Sequence, residues 1–146
     1  MFTKKFMAIL LGFLFLSVSC AHIGVRPRSP EALRVRVNKL WQAKAAGDWA
    51  KVYEMTTSNY RAKVKKSSFL SSPKIRVVSF ALQEIKVLDP GKGAEVRVKA
   101  KLDFMGRLFP MLIREKWKWE DGQWRLNLDP TSFKSLFMHK RPKKTK

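Results

Sequence analysis

Glu95-Val96-Arg97-Val98-Lys99-Ala100-Lys101-Leu102-Asp103-Phe104 decides the fold. Val96, Val98, Ala100, Leu102 and Phe104 fall on one side of an extended chain, and Glu95, Arg97, Lys99, Lys101 and Asp103 on the other. Strict alternation of this kind is the mark of a strand with one buried and one solvated face, the usual antiparallel arrangement. Working outward, Gly106-Arg107 is a turn, and a second strand is expected from about Leu108 to Trp119. On it, Phe109, Met111, Ile113, Glu115, Trp117 and Trp119 share one face, and Arg114, Lys116 and Lys118 share the other. Pro110 has no N–H to donate and belongs near the strand start or at a sheet edge. Glu120-Asp121-Gly122-Gln123 is turn chemistry, after which Trp124, Leu126 and Leu128 form a short last strand. Upstream, Val78, Phe80 and Leu82 alternate, then Ile85 and Val87 continue on the opposite phase. One extra residue between Leu82 and Ile85 reconciles the two phases and predicts a β-bulge. Asp89-Pro90-Gly91-Lys92-Gly93 is the connecting turn.

Before Lys74 the period is helical. Ser29-Pro30-Glu31 is a helix start, with Ser as N-cap, Pro at the first helical position and Glu beside the positive end of the dipole. Leu33, Val37, Leu40 and Trp41 mark the buried face, and Gly47 is a natural stop near Ala46. Asp48 caps a second helix carrying Trp49, Val52 and Tyr53. Ser58 or Asn59 starts another turn with Tyr60, and Ser67 or Ser68 a last one with Phe69 and Leu70, stopped at Ser71-Ser72-Pro73. Helices followed by a meander predict an α+β fold, with the N-terminal helices packed on a curved antiparallel sheet of about four strands.

With that order in place, the chain resembles the nuclear-transport-factor-2-like superfamily, the cone-shaped cystatin-type fold. The carrying residues are Leu40-Trp41-Gln42-Ala43-Lys44-Ala45-Ala46-Gly47-Asp48-Trp49, Tyr60-Arg61, Phe69 and Trp117-Lys118-Trp119-Glu120-Asp121-Gly122-Gln123-Trp124-Arg125-Leu126. The resemblance spans roughly Pro30 to Pro130 and implies a sheet bent around the helices with a pocket in the cone. Some members are enzymes, such as steroid isomerases and polyketide cyclases; many others only bind ligands or partners, so fold alone does not assign activity.

The first nineteen residues have the layout of an export signal. Lys4 and Lys5 are followed by the uncharged apolar run Phe6–Leu16 and by the short residues Ser17-Val18-Ser19. Leu16-Ser17-Val18-Ser19-Cys20 resembles the lipobox of bacterial lipoproteins, with Leu16 one place further from the cysteine than in the commonest pattern. The resemblance implies cleavage before Cys20 and acylation of its thiol and new amino terminus. Cys20 is the only cysteine of the chain, so no internal disulfide can form. Two other readings compete: an ordinary cleaved signal with Cys20 incidental, and an uncleaved anchor over Phe6–Val25. Ser17, Ser19, His22 and Gly24 weaken the anchor. Residues 20–28 are then a tether, 29–138 the α+β domain, with one helical turn over Ser132–Met138, and 139–146 a disordered basic tail. Ala21, not Asp, follows the cysteine, which in enterobacteria sends a lipoprotein to the outer membrane facing the periplasm.

Lys and Arg number 31 against 11 Asp and Glu, a net charge of +20. Such a field draws polyanions and anionic membranes. In a cell envelope these are anionic lipid, lipopolysaccharide and wall polymers, and no nucleic acid is expected. Arg97, Lys99, Lys101, Arg114, Lys116 and Lys118 merge into one surface if their strands are neighbours, and are the candidate anion-binding set. Glu115 is the best candidate acid–base group, because alternation places it among apolar residues, where a carboxylate suits proton transfer; the competing reading turns it outward or pairs it with an Arg, and Asp103 belongs to a solvated face. Trp41, Trp49, Tyr53, Trp117 and Trp119 are candidate walls of a ligand pocket, with plain core filling the stronger reading. His22 and His139 lie outside the folded region and no glycine loop cradles a phosphate, so neither metal nor cofactor is expected. The expectation is a non-catalytic binding or scaffolding lipoprotein, with a small-molecule or lipid pocket, or an acid–base enzyme using Glu115, as the alternative.

Overall fold

The computed structural model describes residues 28–88 and 93–131. The leader, Cys20, most of the tether, the turn residues 89–92, the expected turn over Ser132–Met138 and the tail lie outside the described residues. The architecture is α+β. Helices α1 (Pro30–Ala46), α2 (Trp49–Glu54), α3 (Ser58–Lys63) and α4 (Lys66–Ser71) precede strands β1 (Arg76–Val87), β2 (Ala94–Phe104), β3 (Arg107–Glu120) and β4 (Gln123–Leu126).

Local chemistry accounts for most boundaries. The Ser29 hydroxyl accepts the Ala32 N–H at 3.1 Å, with Pro30 in the first turn. Gly47 ends α1 at φ 73°, a left-handed conformation that lets the Asp48 N–H reach the Ala43 carbonyl at 2.9 Å. Asp48 in turn accepts the Lys51 N–H and opens α2. Helix α3 starts at Ser58, as expected, with Thr57 as its cap: the Thr57 side chain accepts the Tyr60 N–H. Helix α4 starts after Lys65 with no side-chain cap, so Ser67 and Ser68 lie inside it.

The strands pair in the order β1-β2-β3-β4, all antiparallel. The expected bulge is present, between Leu82 and Glu84, and a second interrupts β1 between Val77 and Ser79. The second bulge puts Val77, rather than Val78, on the buried face. Gly93, at φ 97°, approaches β3 so closely that a Cβ would strike the Trp117 carbonyl oxygen. The sheet is neither closed nor strongly curled. Strand β4 pairs only with Trp117–Glu120, which among the described residues leaves β3 upstream of Lys116 as an open edge with Pro110 on it. Beyond β3, Leu126 donates to the Met55 carbonyl at 2.9 Å and accepts the Thr57 N–H at 3.0 Å, tying the α2–α3 junction to the sheet.

The helices cover one face, with α1 lying chiefly over β1. Between the layers, Leu33, Val37, Leu40 and Trp41 meet Val96, Val98, Ala100, Trp117, Trp124 and Leu126 in one buried cluster. Rings fill much of it: Trp41 stands 5.8 Å from Phe80, Trp119 meets Trp124 edge-on at 5.5 Å, and Phe69 lies between Tyr53 and Tyr60. Truncating a buried ring of this size costs about 3–5 kcal/mol. Coverage stops short of the β2–β3 turn, so Phe104, Phe109 and Met111 share the parity of the core face yet are exposed.

Candidate functional site

The face of the sheet turned away from the helices is built by alternation in β2 and β3. Antiparallel pairing sets Arg97 opposite Arg114, Lys116 opposite Glu95, Lys99 opposite Leu112 and Lys101 opposite Pro110. Lys118 lies opposite Arg125 on β4. All six expected cations are therefore on one exposed face. β1 adds Arg76 and Lys86, and the carboxylates of that parity are Glu84, Glu95, Asp103 and Glu120, the last accepting the Ser58 N–H. Like charges directly across a ladder repel, and the Arg97–Arg114 pair is relieved by Glu84, whose carboxylate stands 3.0 Å from the Arg97 guanidinium. Arg76 approaches Asp103 at 3.8 Å. Both pairs are solvated and contribute little to stability. Lys99, Lys101, Lys116 and Lys118 of this face are exposed.

Glu115 points the other way, into the core, and is 6% exposed. Lys44 of α1 places its Nζ 2.7 Å from Oε1, and the Trp117 indole N–H donates to Oε2 at 3.2 Å. The same ammonium lies 4.0 Å over the Trp41 ring. Both carboxylate oxygens are thus engaged by the protein's own donors, an arrangement that locks α1 to β3. Lys44 is the residue that reading the strand alone missed; it lies 71 positions away, and its only signal was a cation on the turn of α1 that follows Trp41.

Trp41 and Trp117 are fully buried and Tyr53 nearly so, its hydroxyl donating to the Val64 carbonyl at 2.7 Å. Trp49 and Trp119 are partly buried against the same cluster. A cavity of about 710 Å³ opens elsewhere, between α3 and α4, lined by Tyr60, Lys63, Val64, Lys65, Phe69 and Pro130. None of the five expected pocket aromatics lines it.

No protein-family model and no curated protein matches the chain. Among the described residues no cluster of three or more His, Cys, Asp and Glu side chains is placed to hold a metal, and no helix is long and apolar enough to cross a membrane. Burial lowers the pKa of Lys74, whose ammonium donates to the Ser72 carbonyl and hydroxyl. The chemistry this surface can perform is reversible ion pairing over a broad, shallow face.

Proposed function

We propose that this chain is a lipid-anchored protein of the bacterial cell envelope, held through acylated Cys20. Its α+β domain acts as a non-catalytic binding or scaffolding module that docks an anionic surface. The observation that carries the reading is the uncovered sheet face bearing Arg97, Lys99, Lys101, Arg114, Lys116 and Lys118. The lipobox-like Leu16-Ser17-Val18-Ser19-Cys20 supplies the anchor, and Ala21 favours the outer membrane, with the domain in the periplasm. We also read the domain as a shallow relative of the nuclear-transport-factor-2-like cone. Support for that comes from the order of helices before a meander and from the positions of Trp41, Trp49 and Trp117-Lys118-Trp119.

Cations near an anionic surface contribute about 1 kcal/mol each. Lys99→Glu with Lys101→Glu should therefore weaken binding to phosphatidylglycerol vesicles by at least about 2 kcal/mol, and added salt should weaken the parent protein steeply. Binding indifferent to both would refute the docking. Intact mass of the protein from its native membrane tests the anchor: fatty chains on Cys20 and no peptide ahead of it are expected.

A further inference from the structure

The β2–β3 hairpin ends in a cluster of apolar side chains that none of the described residues covers. Phe104, Phe109 and Met111 have the parity of the helix-covered face, while Leu108 and Leu112 have that of the cationic face, and all five are exposed. Met105, at the turn, is 89% exposed. It also holds a left-handed backbone, φ 52°, followed by Gly106 at φ 79°, in the two-residue reversal that closes Phe104 against Arg107. Hairpin reversals of this kind favour Asn, Asp or Gly at both positions. A methionine there gives up turn preference for an apolar tip, and an unfavourable local choice of this sort points to function.

We propose that this hairpin end inserts into the interfacial layer of an anionic membrane, with Met105 deepest. Three features select lipid over other occupants. First, the apolar groups point off both faces and off the turn, so an occupant must surround the end, as a lipid interface does and a single protein surface does not. Second, cations ring the cluster. Arg107 sits in it, and Arg76, Lys99, Lys101 and Arg114 stand behind it, placed to bury their stems and keep their charges among headgroups. The carboxylate at this end, Asp103, is occupied by the Gly106 N–H at 2.9 Å and lies near Arg76. Third, edge-to-edge pairing with a second copy is hindered, because Pro110 interrupts the open edge of β3 and Arg107 and Arg114 place charge along it.

The insertion rests on the docking reading only in placing the domain at a lipid surface, and one experiment separates the two. A photoreactive phenylalanine analogue replaces Met105, Lys99 or, as an exposed α1 control, Lys39 in the full chain. Each protein is reconstituted in vesicles of phosphatidylcholine and phosphatidylglycerol, and adducts are identified by mass. Insertion predicts lipid adducts at 105 exceeding those at 39 by about tenfold, in keeping with partition of apolar side chains into the interface. Adducts at 99 with none at 105 overturn insertion and leave docking standing. Adducts at 105 with none at 99 support insertion and count against docking by the sheet face. Crosslinks from 105 to a second copy, or to residues 132–146 of the same chain, in place of lipid overturn the proposal.

Discussion

Replacing Lys44 by Met tests whether the pair it forms with Glu115 behaves as a buried one. The Glu115 side chain is 4% exposed and that of Lys44 15%, so little solvent screens them. Lys44→Met leaves Glu115 with the Trp117 indole as its remaining donor. Removing one partner of a buried pair costs about 3–5 kcal/mol, because the other charge stays desolvated and uncompensated. Loss of the ammonium over Trp41 adds about 0.5–1 kcal/mol. For a domain of this size each kcal/mol moves the unfolding midpoint by about 4–8 °C, so a fall of at least about 12 °C is expected. The double variant Lys44→Met, Glu115→Leu removes both charges and should lie within about 1–2 kcal/mol of the parent, since apolar replacement of a buried pair is often neutral and only the indole N–H is left without its acceptor. Urea unfolding followed by tryptophan fluorescence gives all the free energies needed for the cycle. A loss below about 1 kcal/mol for Lys44→Met, the value of a solvated pair, would refute the reasoning. So would a double variant as unstable as the sum of the singles.

Met105→Asn should move stability and membrane retention in opposite directions. Asn tolerates the left-handed backbone, so the unfolding midpoint should rise by a few degrees, for about 0.5–1 kcal/mol, while retention on phosphatidylglycerol vesicles falls; both moving together would count against the assignment of Met105. Burial first, and then the neighbouring Tyr53, raise the pKa of Tyr60 above its ordinary 10.0. Its phenol therefore ionises in the unfolded chain before the folded one, and stability declines as pH rises from 10.0 through the folded value. Tyr60→Phe should flatten that decline in midpoints measured against pH, and parallel curves for the two proteins would exclude Tyr60 as its source.

Where the physics was local, the elements could be read from the chain. Ser29, Gly47 and Asp48 set α1 and α2, and the alternation at 95–104 set β2. The bulge after Leu82 was forced by a change of phase that no straight strand can make. The bulge at Val78 was hidden because Val77 and Val78 are equally apolar, and only packing against α1 chooses between them. Alternation assigned Phe104, Phe109 and Met111 to the core face correctly but could not show that the helices end before reaching them. Glu115 was placed among apolar residues, as found, while its partner Lys44 arrives from another layer. The six cations share a face because β2 and β3 are neighbours, a pairing the short turn at Gly106 made the simplest choice.

The backbone bonds between Leu126 and the residues flanking Thr56 have a consequence for assembly. The other strand contacts join segments adjacent along the chain, and such short-range closure favours rapid folding. This one spans the domain from its second helix to its final strand. A polypeptide emerging from the ribosome can rehearse its hairpins early and lay α1 over β1, yet the α2–α3 junction is fastened to the sheet only when the last described strand arrives. A chain stopped before Gln123 would keep its longest ladder and lose its clasp.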